Sequence, residues 1–195
     1  MSYHIHWHEG LFLQPHHLQR LQRSVYAEAA RTRQLMGSYP VGIIDAQISH
    51  DELANFRLVF DRLRAVLPSG LEVDFPGNAD LPSFDLRTLF TGGGTSFLIS
   101  LAVPLWQAQR ANAFEMGQPA DVRVKLVYKP VEATVVDENT GDNPKPVLER
   151  RLNARLITEA DDPSDLEILR GIEKRVKELK RSELLSNRRV SLRPA

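Results

Sequence analysis

The chain has 195 residues, 42% hydrophobic and 26% charged, a balance that suits one soluble globular domain or one domain with a small appendage. Its 25 basic residues are matched by 25 acidic ones, and a formal net charge of zero argues against a partner held by whole-chain electrostatics, nucleic acid above all. Cysteine is absent, which excludes disulfides, thiolate metal sites and cysteine nucleophiles and fits the cytosol. No window reaches the apolar length of a membrane span, and the start lacks the basic and apolar regions of a secretory signal.

The first element is a short extended arm from Tyr3 to Gln14. Gly10 permits backbone angles that other residues avoid, and Pro15 biases Gln14 to an extended conformation while suiting the first position of a helix. Two chemistries compete for the arm. In a strand, His4, His6 and His8 would share one face, with Glu9 beside them and His16 and His17 following, a set that could hold zinc or non-haem iron. Alternatively Trp7, Leu11, Phe12 and Leu13 anchor an apolar arm, and the histidines are solvated neighbours.

Leu18, Leu21, Val25 and Ala29 follow at helical spacing, so residues 15–37 read as a surface helix packed on a sheet by one face, with Gly37 as its cap. Val41 to Ile48 reads as a strand, and Ser49 to Glu52 as a turn. A half-buried strand runs from Phe56 towards Leu67. It turns at Pro68-Ser69-Gly70 into an alternating run over Leu71, Val73 and Phe75, which together make a hairpin. Residues 76–95 read as loop. Their Gly92-Gly93-Gly94 has no following lysine and precedes a strand, so it reads as a connector and not as a phosphate cradle.

Phe97 to Val103 is apolar at both alternations, the pattern of a strand covered on both faces. Trp106 to Gln118 reads as a loop over the sheet edge. Asp121 to Lys129 is the clearest strand, with Val122, Val124, Leu126 and Tyr128 inward and Arg123, Lys125 and Lys129 outward. Val131 to Val136 continues it, Asp137 to Asn143 is a turn, and Leu148, Leu152, Ala154 and Leu156 share the parity of a further strand. After residue 160, Leu166, Leu169, Ile172, Val176 and Leu179 have near-helical spacing, and the polar, basic residues 188–195 read as a fraying end.

Three separated stretches carry a family resemblance. Trp7-x-Glu9-Gly10-Leu11-Phe12-Leu13-x-Pro15-x-His17-Leu18-Gln19 resembles the opening of the type VI secretion baseplate family TssK, with His16, Leu18 and Leu11 as mild departures. The turn Asp137-Glu138-Asn139-Thr140-Gly141-Asp142-Asn143 and the following Arg151-Leu152-Asn153 resemble that family's D-E-N-T-G-E/D-N turn and R-L-N, and the Pro68-Ser69-Gly70 turn resembles its F/L-P-D/S-G. His4, His6 and His8 fall outside these motifs, so the resemblance gives them no role.

The resemblance implies a structural protein and not an enzyme. No catalytic triad, nucleophile elbow or metal-ligand spacing stands out, and no cofactor or metal is expected. The expected fold is mainly β, an antiparallel β-sandwich with an N-terminal arm and one early α-helix. A shell domain would span residues 1–160, with the arm over 1–14, the helix over 15–37 and the sandwich over 41–160, followed by an extension over 161–195, a strand over Leu166 to Val176 being implied by the family.

The implied state is a homotrimer. The implied partners are the baseplate wedge proteins TssF and TssG, met through Trp7, Glu9, Gly10, Leu11, Phe12, Leu13, Pro15, His17, Leu18 and Gln19. The membrane complex of TssJ, TssL and TssM would be reached only through later family domains, which this stretch is expected to lack. The implied place is cytoplasmic, in a baseplate at the inner face of the cytoplasmic membrane. The rival is a small metal-dependent enzyme or metal-binding protein built on the early histidines.

Overall fold

The computed structural model describes residues 4–36, 40–90, 97–117 and 125–170. In chain order the elements are α1 (Pro15–Met36), β1 (Gly42–Ile48), α2 (His50–Ala54), β2 (Arg57–Leu58), β3 (Phe60–Val66), β4 (Glu72–Phe75), β5 (Ala79–Asp80), β6 (Phe84–Asp85), α3 (Arg87–Phe90), β7 (Ser100–Pro104), β8 (Tyr128–Val135), β9 (Lys145–Asn153), β10 (Arg155–Ile157) and β11 (Leu166–Leu169). Gly37, Gly92 to Gly94, Val122 to Val124 and everything from Gly171 onward, including Ile172, Val176 and Leu179, lie outside the described residues.

Among the described residues the strands form four small sheets, ordered β1-β3-β4, β10-β7-β11, β2-β6 and β5-β9-β8. Among the described residues every pairing of named strands is antiparallel except β5 with β9, and one isolated parallel bridge joins Ala113 to Tyr128, so the mainly β, antiparallel expectation holds. The sheets share one core. Leu63, Ala65 and Val73 come from the first sheet, Leu101, Val103, Leu156 and Leu169 from the second, Leu58 from the third, and Ala79 and Leu152 from the fourth. Every residue of β7 is buried, as its unbroken apolar run requires of a strand covered on both faces. The β3–β4 hairpin turns where Pro68-Ser69-Gly70 places it, with Gly70 at φ +84°, a left-handed conformation that suits glycine.

Several elements depart from the sequence reading. Ser49 to Glu52 does not form a turn. Ser49 stands at the N-cap of α2, Asp51 and Glu52 sit favourably in its first turn, and Leu53, 1% exposed, pins the helix to the core. The strand from Phe56 is broken at Val59, because β2 pairs with β6 while β3 pairs with β1 and β4. The stretch read as loop holds β5, β6 and α3, each too short for periodicity to register, with Leu81 and Leu86 buried between them.

Of the clear strand at 121–129, only Tyr128 and Lys129 are strand among the described residues. Val127 is the buried residue there, and Leu126 and Tyr128 are half-buried. Asn153 explains this: its backbone N–H donates to Val127 O at 2.8 Å and its side-chain amide to Leu126 O at 3.0 Å, which turns Val127 inward just before the strand begins. The strand read over 148–156 is interrupted at Ala154, so β9 and β10 belong to different sheets and Leu148, expected inward, is 60% exposed.

β8 and β9 pair over eight positions, from Tyr128↔Leu152 to Val135↔Lys145. Residues 145–150 are all exposed, so the outer half of this hairpin is a two-stranded ribbon standing off the core. Its tip is the expected turn, in which Gly141 N–H donates to Asp137 O at 2.8 Å and Asn139 N–H to the Asp137 carboxylate at 2.8 Å. The Asn139 N–H, with Asn139's side chain and the Thr140 N–H, holds the Asp137 carboxyl below its usual range.

Candidate interaction surface

The arm is not a strand. Residues 4–14 carry no strand pairing, and a turn at Glu9-Gly10 is closed by Leu11 N–H donating to His8 O at 3.3 Å. Gly10 has φ +79° with nothing around it, so the turn itself, and not packing, requires the glycine. The strand face that would align His4, His6 and His8 is therefore missing. The His6 and His8 rings lie 5.8 Å apart, and the His8 ring contacts Glu9 O at 2.9 Å. Among the described residues no group of three or more His, Asp or Glu could hold a metal ion.

The helix start is built by the motif residues themselves. Pro15 opens α1 with its φ already set for a helix and without an N–H that would need a partner. His17 sits two residues on, and its Nδ1 accepts the backbone N–H of Gln14 at 3.0 Å. This is the reaching-back half of a capping box, done by a histidine where Glu or Gln is usual. His17 N–H in turn donates to Gln14 O at 3.0 Å. The reciprocal pair fixes the angle at which the arm enters the helix.

The apolar residues of this stretch face solvent. Trp7 is 54% exposed, Phe12 81%, Leu13 53% and Leu18 52%, with Leu11 half-buried and Glu9 and Gln19 exposed. Helix α1 has no buried residue at all. Its stripe of Leu18, Leu21 and Val25, expected against the sheet, lies in the open instead. Together with Leu13, Gln19 and Tyr26 it lines an open groove of about 690 Å³ in which no lining residue is charged. Leu21, Val25 and Tyr26 were not among the expected contact residues. Their helical spacing from Leu18 was visible, but that spacing reports a face and not what covers it.

What ties α1 to the body lies off that stripe. Ala30 presses beneath Gly70, where an added Cβ would come within 2.5 Å of the Ala30 Cβ. Arg33 donates to Gly70 O at 3.0 Å and to Glu72 at 2.8 Å, and Glu72 also accepts from Arg64 at 3.1 Å. Nearer the helix start, the Arg23 guanidinium lies 3.0 Å over the Trp106 ring, and Arg150 of the ribbon donates to Gln22. Burial pushes the Arg23 guanidinium down from its usual range.

Such a site is built to be covered. A mainly β body carries, on its surface, a helix and arm whose large apolar side chains stay about half exposed or more, and monomeric proteins rarely leave such a patch without a partner. The chain belongs to the bacterial type VI secretion family described by the names EvfL, ImpJ and VasE, which matches residues 17–181. The match begins at His17, so the arm precedes it. In fold the chain is similar to one in the TssK–TssF–TssG baseplate subcomplex of the type VI secretion system, with a TM-score of 0.75, 22% identity, and 86% of this chain covering 54% of that one. It is similar to TssK in a crystal structure, with a TM-score of 0.73, 19% identity and coverage of 86% and 37%. It is similar also to a chain of the type VI baseplate complex, with a TM-score of 0.71, 24% identity and coverage of 86% and 52%. The chain thus spans about half, or less, of the length of these relatives. No curated protein matches it.

Proposed function

We propose that this chain is a structural component of a type VI secretion baseplate, an adaptor that docks on the wedge proteins TssF and TssG and has no catalytic role. The observation that carries this is the uncharged apolar groove of the arm and α1, on a fold similar to a chain of the TssK–TssF–TssG subcomplex. Residues 1–160 act as a shell domain, and the segment from 161 returns β11 to the sheet of β7. Trp7, Phe12, Leu13 and Leu18 are the apolar anchors, and Glu9 and Gln19 give polar contacts at their rim. Gly10, Pro15 and His17 set the path of the arm, and the half-buried Leu11 contributes to the same contact.

The chain works as a homotrimer in the cytoplasm, against the inner face of the membrane. No helix among the described residues is long and apolar enough to cross that membrane. Contact with TssJ, TssL and TssM falls to later domains of the family.

The test is Trp7→Ala combined with Phe12→Ala, with both wedge capture and melting temperature measured. These side chains are 54% and 81% exposed, so melting should hold while capture falls at least tenfold. Retained capture overturns the assignment. Loss of the trimer without loss of wedge contact would instead make the groove a contact between copies.

A further inference from the structure

The turn Pro68–Gly70 touches two elements that lie far apart in the chain. On one side is α1, with Ala30 seated under Gly70 at a distance no Cβ would permit and Arg33 donating to Gly70 O at 3.0 Å. On the other side is β11. The Ser69 N–H and hydroxyl both donate to the Glu167 carboxylate, the hydroxyl at 2.8 Å. Inside the turn, Gly70 N–H donates to Leu67 O at 2.8 Å and Leu67 N–H to Leu71 O at 2.8 Å, so its residues move together. Glu72 adds a bridge just beyond, shared between Arg33 and Arg64.

We propose that this turn is a two-sided latch through which the docking of α1 and the seating of β11 are coupled. Helix α1 has no buried residue, so it can leave the body without opening the core. Its seat on Gly70 admits two arrangements, docked or released, because a contact this close cannot be loosened by degrees. Release withdraws Ala30 and Arg33 from Gly70 and frees the turn to shift. Ser69 is the adjacent residue and shifts with it, which misaligns its two bonds to Glu167. β11 pairs with the wholly buried β7 from Leu166↔Pro104 to Leu169↔Leu101, and the chain continues from it at Arg170. A pull on the arm is thus felt where the chain leaves the sheet. The coupling is a property of the free chain and needs no partner.

Amide hydrogen exchange on the whole chain tests it, comparing the parent with Arg33→Ala, Glu167→Ala and the double variant. Glu167→Ala is expected to speed exchange across residues 26–36 of α1 on the order of fivefold, the low end for coupled sites, although it touches none of them. Arg33→Ala is expected to speed exchange in Leu166–Leu169 likewise, with the double variant showing less than the product of the two effects. Exchange in β1 serves as the control. If each change stays within its own element, or if the effects simply multiply, the latch is wrong. Should Glu167→Ala disturb the control, Ser69→Ala is read by the same criterion; it keeps the Ser69 N–H bond to Glu167 and removes the hydroxyl's bond to that carboxylate together with the one the hydroxyl accepts from Leu71 N–H at 3.2 Å.

Discussion

His17 shows how much a single side chain can do at a helix start. Its ring accepts the Gln14 N–H, one of the backbone donors that the first turn leaves without a partner. His17→Ala should weaken that turn by about 0.5–2 kcal/mol, the usual cost of a lost cap, seen as faster exchange of the Gln14 amide with little change in global melting. An unchanged Gln14 amide would show that the ring is not the cap. Pro15 and His17 both stood in the recognised motif, but their mechanical role did not, because a histidine three residues after a cap is not the residue type that capping patterns flag.

The core gives the complementary lesson. Leu63, wholly buried at the centre of β3, should cost about 2–5 kcal/mol when changed to Ala. Leu126, which alternation placed inward, is half-buried and should cost clearly less. Denaturant unfolding of the two variants decides, and equal losses would contradict the burial seen here. Alternation assigned Leu126 correctly only if the strand ran unbroken to that point. The side chain of Asn153, distant in sequence, sets the local path instead.

At the scale of elements, the long runs were legible and the short ones were not. β1, β7 and the β3–β4 hairpin follow from β-branched runs, double-sided apolarity and a Pro-Ser-Gly turn. β2, β5 and β6 have two residues each, and their pairing depends on partners far along the chain. Helix α1 was legible as a helix but not in its placement. Its apolar stripe suggested packing on a sheet, whereas its attachment runs through Ala30, Arg33 and Arg23. Gly70→Ala tests that attachment. A Cβ there meets both a left-handed φ of +84° and Ala30, so a loss of about 1–3 kcal/mol with release of α1 is expected in melting and helix exchange. A neutral outcome would mean that α1 does not rest on this turn.

At the scale of the whole molecule, a compact β core holds two elements away from itself, the arm with α1 and the ribbon of β8 and β9. Isolated two-stranded ribbons are marginal in water, and here the ribbon is anchored by its inner half, where Leu152 and Asn153 are buried. The recognised motifs map onto both projecting elements and onto the turn that seats α1, so the resemblance pointed at the surface more than at the core. The groove was only partly legible, since Leu13 and Leu18 lay in a motif while Leu21, Val25 and Tyr26 did not.

The absence of charge along that groove has a kinetic consequence. Because the groove's own lining is uncharged and the chain's net charge is zero, steering at the contact is weak, and association should proceed near the unsteered rate of about 10⁵–10⁷ M⁻¹s⁻¹. Ionic strength then has almost nothing to screen. Capture of wedge proteins should change little between low and high salt, with the dissociation rate alone setting residence, and a steep loss on adding salt would place the contact elsewhere. In the proposed homotrimer, several such grooves would grip by rebinding: each that lets go is still tethered beside its site, and the assembly lasts far longer than any one contact.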